Sequence, residues 1–163
     1  MKKQILAQPH VYDARQTETR LKQIEPELQF EVVKLVYYPY YFFSFTMDVK
    51  RFLLPSSEKV ACTIDSISGT GSLIESPPQF QNINVPPEEI IPHQISILKA
   101  RELSQSFLYR AISLKMKMLS ISELTAEEEQ IFYRPYWLAR EKKNMDVPDF
   151  VIDAVSGKYH PLS

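Results

Sequence analysis

The sequence predicts an α+β fold of two similar helix-strand-strand units, with an antiparallel sheet and the helices packed on one face. Three observations carry that expectation. An aromatic strand built around a proline, Tyr37-Tyr38-Pro39-Tyr40-Tyr41, returns ninety-six positions later as Tyr133-Arg134-Pro135-Tyr136-Trp137. Each copy is followed by a turn of the form Asp-x-Ile/Val-Ser-Gly, first as Asp65-Ser66-Ile67-Ser68-Gly69 and then as Asp153-Ala154-Val155-Ser156-Gly157. Each copy also follows a helical pattern. Signatures recurring in one order are the mark of an internal duplication, and they divide the chain into a first repeat module at 1–76, a Pro-rich connector at 77–92 and a second repeat module at 93–163.

The first helix is read from Val11 to Glu25, where Val11, Ala14, Thr17, Leu21 and Ile24 repeat at the three-four spacing of one helix face and Pro26 ends the pattern. Phe30 to Met47 alternates as a strand. Val33, Leu35, Tyr37, Tyr41, Phe43, Phe45 and Met47 share a core face, and Pro39, which has no N–H to donate, places the strand at an edge or bends it there. The two aromatic-to-turn spacings differ by eight residues. That difference falls in Asp48 to Glu58 and reads as a longer hairpin tip, where insertions cost little. Lys59 to Asp65 is the return strand. Glu75 to Pro92 holds five of the twelve prolines and reads as an extended connector.

His93 to Leu119 carries the longest helical pattern, with Ile97, Ala100, Leu103, Phe107, Ala111, Leu114 and Met118 on one stripe. The cations Arg110, Lys115 and Lys117 near its end suit a solvated helix terminus better than a phosphate site. Ser122 to Gln130, with three consecutive glutamates, reads as a loop and short acidic helical turn. The second aromatic strand follows at about Gln130 to Arg140, its return strand at Asp149 to Asp153, and a short final strand at Lys158 to Leu162.

Composition bounds the function. The 163 residues are 44% apolar, enough for a real core, and 19 basic residues against 20 acidic ones leave no basic footprint for a nucleic-acid partner. Cys62 is the one cysteine, which excludes an intrachain disulfide and favours a reducing compartment. The residues after Met1-Lys2-Lys3 lack the apolar run of a signal peptide, and Leu35 to Phe43 is about half the length of a membrane span. A cytoplasmic location is therefore expected.

Asp65 and Asp153 are candidates for paired acid and base roles, but each stands where its turn needs an acceptor for backbone N–H groups, so structural turns at Asp65, Gly69, Asp153 and Gly157 are expected, with both glycines at positive φ. His10, His93 and His160 lack metal-ligand spacing, and no glycine-rich phosphate loop or nucleophile elbow occurs. No catalytic residue, cofactor or metal is expected. Stacking of Tyr37, Tyr38, Tyr40 and Tyr41 on bases is opposed by the scarcity of nearby cations.

Val151-Ile152-Asp153-Ala154-Val155-Ser156-Gly157-Lys158-Tyr159 resembles the closing hairpin of PepSY-type modules, small α+β units whose last strand ends in a similar run. The resemblance implies a non-catalytic module that modulates a protease or another partner, usually outside the cytoplasm.

The function expected is a non-enzymatic protein-interaction or regulatory module. Tyr38, Tyr40 and Phe42, on the strand face opposite the core set, are too apolar to face water and form the expected partner-binding or self-association surface. The other explanation is that the connector or the long helix covers them. The alternative function is a small-molecule-binding protein or minor enzyme with a pocket lined by Tyr37, Tyr41, Tyr133, Arg134 and Trp137.

Overall fold

The two aromatic runs lie in long strands, and each of the two α-helices follows a capping residue. The structure, a computed structural model, describes residues 1–51, 54–115, 120–143 and 148–161. In chain order the elements are β1 (Lys3–Ala7), α1 (Ala14–Ile24), β2 (Phe30–Arg51), β3 (Leu54–Asp65), β4 (Gly71–Ile74), β5 (Gln81–Val85), a 3-10 turn at Pro87–Glu89, α2 (Ile97–Lys115), β6 (Ser120–Glu141), β7 (Phe150–Asp153) and β8 (Tyr159–Pro161). Hydrogen-bonded neighbours run β4-β3-β2-β6-β1-β5, and β7 pairs with β6 and with β8. The fold is α+β as expected. The sheet is mixed rather than antiparallel, because β1, a strand the sequence pattern did not reveal, lies parallel to β6 at Ala7 and Tyr133.

Two compact units divide these elements, one formed by Met1–Tyr38, Gln79–Pro92 and Tyr133–Ser163, the other by Pro39–Pro78 and His93–Phe132. They are interleaved along the chain rather than consecutive. In the unit containing Pro39, the core gathers Tyr41, Phe43, Phe45 and Met47 of β2, Cys62 and Ile64 of β3, and Ala100, Leu108 and Ile112 of α2. Each large side chain buried there contributes about 1.5–3 kcal/mol. In the other unit, Leu21 of α1 packs with Phe30, Ala139 and Ile152, flanked by Trp137, Phe150 and Tyr159.

Asp13 caps α1 through a capping box in which its carboxylate accepts from Gln16 N–H at 2.8 Å while the Gln16 side chain accepts from Asp13 N–H at 2.9 Å. Thr17 and Leu21 are its buried residues, whereas Val11, expected on the stripe, stands before the cap and is 62% exposed. In α2 the buried positions are Ala100, Ser104, Leu108 and Ile112, with Leu103 and Phe107 half-buried, so the stripe is rotated from the expected one and Leu114 is 79% exposed. Met118 lies outside the described residues.

Further expectations are corrected. The eight extra residues do not make a loop: β2 and β3 stay paired from Tyr40 with Asp65 out to Arg51 with Leu54, so the insertion lengthens the ladder. The connector carries β5, which pairs antiparallel with β1 from Lys3 with Val85 to Ala7 with Gln81. Ser122 to Gln130 is strand, not a helical turn, because tertiary pairing overrides local propensity: Glu127 accepts from the Thr46 hydroxyl at 2.7 Å and Glu129 is bound by the Arg101 guanidinium. β2 runs unbroken through Pro39, with β3 and β6 as its neighbours. Its ladder to β3 begins one residue later, where the missing N–H is not needed. Of the predicted core face, Tyr37 through Met47 is buried and Val33 is 42% exposed.

Candidate functional site

The two turns and the strands facing them share one hydrogen-bond pattern. Around the first, the Asp65 carboxylate accepts from Ile67 N–H at 2.9 Å and Ser68 N–H at 3.1 Å, Gly69 N–H donates to Asp65 O at 2.8 Å, and Asp65 N–H donates to Thr70 O at 2.9 Å. Around the second, the Asp153 carboxylate accepts from Val155 N–H at 2.9 Å and Ser156 N–H at 3.3 Å, Gly157 N–H donates to Asp153 O at 2.8 Å, and Asp153 N–H donates to Lys158 O at 2.8 Å. Gly69 and Gly157 both have φ of +79°, where a Cβ is strained. Gly71 is different. Its backbone needs no positive φ, and it is glycine because a Cβ would lie 2.5 Å from the Phe107 ring.

Each turn also holds a proline and a helix. Ser66 N–H donates to Pro39 O at 3.3 Å and Ala154 N–H to Pro135 O at 3.0 Å; the register is likewise the same, Tyr40 opposite Asp65 and Tyr136 opposite Asp153. The Ser66 carbonyl accepts from Gln94 and Ile95 N–H, and the Ala154 carbonyl from Val11 and Tyr12 N–H, just ahead of the caps Ser96 and Asp13. The Tyr41 hydroxyl then donates to Ile95 O at 2.7 Å, and the Trp137 indole to Tyr12 O at 2.8 Å. Thus α2 docks on the first turn and α1 on the second. The docking residues Tyr12, Ser66, Ile95 and Arg20 were not singled out from the sequence; the capping pattern of Asp13 and Ser96 is the one local sign of them.

At the second site a guanidinium joins the turn. Arg134 sits on Asp153, with Nη2 2.7 Å and Nε 2.9 Å from Oδ2, and its Nη1 donates to the Gln8 side chain at 3.1 Å. Burial pushes the Asp153 carboxyl up, but the Arg134 hydrogen bonds, the turn N–H groups and the Arg134 charge outweigh it, and the net effect is a carboxyl held below its ordinary range. Arg20 donates through Nε to Gly157 O at 2.6 Å and lies over the Tyr12 ring. Both aspartates thus serve as acceptors for the N–H groups of their turns.

The expected contact residues are placed unevenly. Phe42 is 1% exposed and leaves that surface, while Tyr38 and Tyr40 are half-buried. Tyr38 meets Tyr136 edge-on at 6.1 Å between ring centroids, and Tyr40 stacks on Phe132 at 5.6 Å. Of the alternative pocket residues, Tyr41 lies in the core with Phe43 and Leu108, Trp137 packs beside Leu21 and Ile152, and Arg134 is engaged by Asp153. Tyr37 and Tyr133 are buried. Their phenols are pushed above the ordinary value, by burial in both cases and additionally by the Glu89 charge at Tyr37.

The Cys62 thiol is fully buried and pushed up to about 12. Among the described residues no three His, Cys, Asp or Glu side chains are grouped to hold a metal, and no helix is long and apolar enough to cross a membrane. Comparison with family models, with curated proteins and with solved structures finds no match to this chain.

Proposed function

We propose that the protein is a non-enzymatic interaction module built from two related helix-strand-strand units, and that it contacts a protein partner through the aromatic strand at Tyr38 and its neighbour Tyr136. The observation that carries the contact is the edge-on Tyr38–Tyr136 pair, half-buried and on the same strand face as Arg134 by the alternation of β6. Tyrosine and arginine are the residue types in which interfaces concentrate their energy. The duplication is supported by the matched networks at Asp65 and Asp153, down to the proline carbonyl, the left-handed glycine and the helix docked on the turn. In this reading each turn is served by the helix that precedes the other aromatic strand. A modulatory role, which the likeness of Val151 to Tyr159 to PepSY modules implies, accords with reactive side chains being committed to structure.

The small-molecule reading has less behind it, because the polar groups of Tyr41, Trp137 and Arg134 are spent on internal hydrogen bonds. Sedimentation velocity over a concentration series, together with capture from a native extract, tests the proposal with the native chain and with Tyr38→Ala combined with Tyr136→Ala. The variant is expected to melt cooperatively and to lose association. A folded variant with the same oligomeric state and the same captured proteins overturns the contact surface.

A further inference from the structure

A cleft of about 410 Å³ opens between α1 and the start of β2, lined by Arg15, Glu18, Lys22, Leu28, Phe30 and Lys142 among others. Arg15, Glu18 and Lys22 follow one another at three and four residues along α1, so they share a helix face. Glu18 is spaced to pair with either cation. It does not: its carboxylate accepts from Val32 N–H at 3.3 Å, and the Arg15, Lys22 and Lys142 side chains have no anionic partner among the described residues. Lys142 is held at the rim by its own N–H, which donates to Gln29 O at 2.8 Å. The lining therefore carries three cations against one carboxylate in a chain whose net charge is −1, so the positive excess belongs to this cleft's lining and not to the protein as a whole.

We infer that this cleft binds the phosphoryl group of a small phosphomonoester. An arginine fork and two ammonium groups match a dianionic group in charge and donor number. The space exceeds what inorganic phosphate fills and lies within the usual range for small-molecule sites. Leu28 and Phe30 in its lining offer apolar surface to the organic part of the ligand. The site shares no residue with the Tyr38 contact surface and stands or falls separately from it.

The same group is displayed by a phosphatidic acid headgroup, so the test has two arms. Amide shifts of the full chain are followed during titration with inorganic phosphate and with phenyl phosphate at constant ionic strength, and sedimentation with phosphatidylcholine vesicles is measured with and without phosphatidic acid. Saturable shifts at Thr19, Lys22, Gln29 and Phe30, with phenyl phosphate binding tighter than phosphate, are expected. Lys22→Gln with Lys142→Gln should weaken binding by about tenfold or more. Glu18→Gln keeps an acceptor for Val32 N–H but removes the lining's carboxylate, and should strengthen binding, a gain that damage to the fold cannot mimic. Vesicle binding that depends on Lys22 and Lys142, without binding of phenyl phosphate, assigns the phosphoryl group to a lipid. Absence of saturable binding in both arms, or affinities that ignore all three substitutions, overturns the inference.

Discussion

Trp137 donates its indole N–H to the carbonyl of Tyr12 at 2.8 Å, and so fixes the entry to α1 on the strand that carries Pro135. The Tyr41 hydroxyl does the same for Ile95 at the entry to α2. Trp137→Phe and Tyr41→Phe keep an aromatic ring and remove the donor. Each should cost about 1 kcal/mol, the usual net value of a hydrogen bond plus part of the penalty for a stranded carbonyl. Urea unfolding checks this, and a cost confined to one of the two would contradict equal roles for the two bonds.

The three glycines should separate by mechanism. Gly69→Ala forces a Cβ into the left-handed region at about 1–2 kcal/mol, with a tight 3.3 Å approach to the flexible end of Leu103 and an ordinary contact to Ile95. Gly157→Ala has the same strain and also drives the Cβ to 2.8 Å from Arg20 Nε, so it should cost more. Gly71→Ala has no φ penalty but collides with the Phe107 ring, an overpacking cost of about 1–3 kcal/mol. Combining it with Phe107→Leu should recover part of that loss. No equivalent rescue of Gly69→Ala by Leu103→Ala is expected, and thermal melts of the five variants decide the matter.

Asp153 should make the fold sensitive to acid. Its folded carboxyl lies below the ordinary value, so its stabilisation is complete above the unfolded pKa of about 4 and is lost as pH falls through the lower folded value. Arg134→Met leaves the carboxylate with the turn N–H groups alone and should cost about 2 kcal/mol near neutrality. That penalty should shrink once Asp153 is protonated. Melting temperatures from neutral to strongly acid pH, for both proteins, give the comparison, and a penalty independent of pH would exclude the ion pair as its source.

Phe42→Glu should unfold or strongly destabilise the chain, by several kcal/mol, because a position 1% exposed would receive an unpaired charge. Circular dichroism in a urea series measures it. A folded, unperturbed Phe42→Glu variant would return Phe42 to the surface.

What the sequence disclosed was mainly local chemistry. The Asp-x-x-x-Gly turns carry their own acceptors and their own φ requirement within five residues, so the left-handed Gly69 and Gly157 were legible. The core run from Tyr41 to Met47 was legible for the same reason, since alternation is a property of the strand alone. β1 and β5 were not. Their five-residue segments acquire strand structure from each other, and no local pattern sets Lys3 opposite Val85. Glu127 to Glu129 misled because glutamate favours helix in isolation, while here Thr46 and Arg101 hold two of them in a strand. The match of helix to turn was illegible too, since both turns offer a carbonyl and both helices a capped entry. Of the contact residues, alternation placed Tyr38 and Phe42 on one face but could not say that only Phe42 would be fully covered.

The order in which these parts leave the ribosome differs from the order in which they can be used. Arg20 waits for Gly157, its hydrogen-bond partner 137 residues further on. At a synthesis rate of about 5–20 residues per second, that interval is roughly 7 to 27 seconds. A helix of eleven residues is marginal by itself, so through that time α1 has neither its docking carbonyl nor a completed surface for Leu21. The α2 entry, by contrast, finds the Ser66 carbonyl already made when it emerges. Nascent-chain folding should therefore begin at the Pro39 turn and finish at the Pro135 turn, with α1 undocked in between.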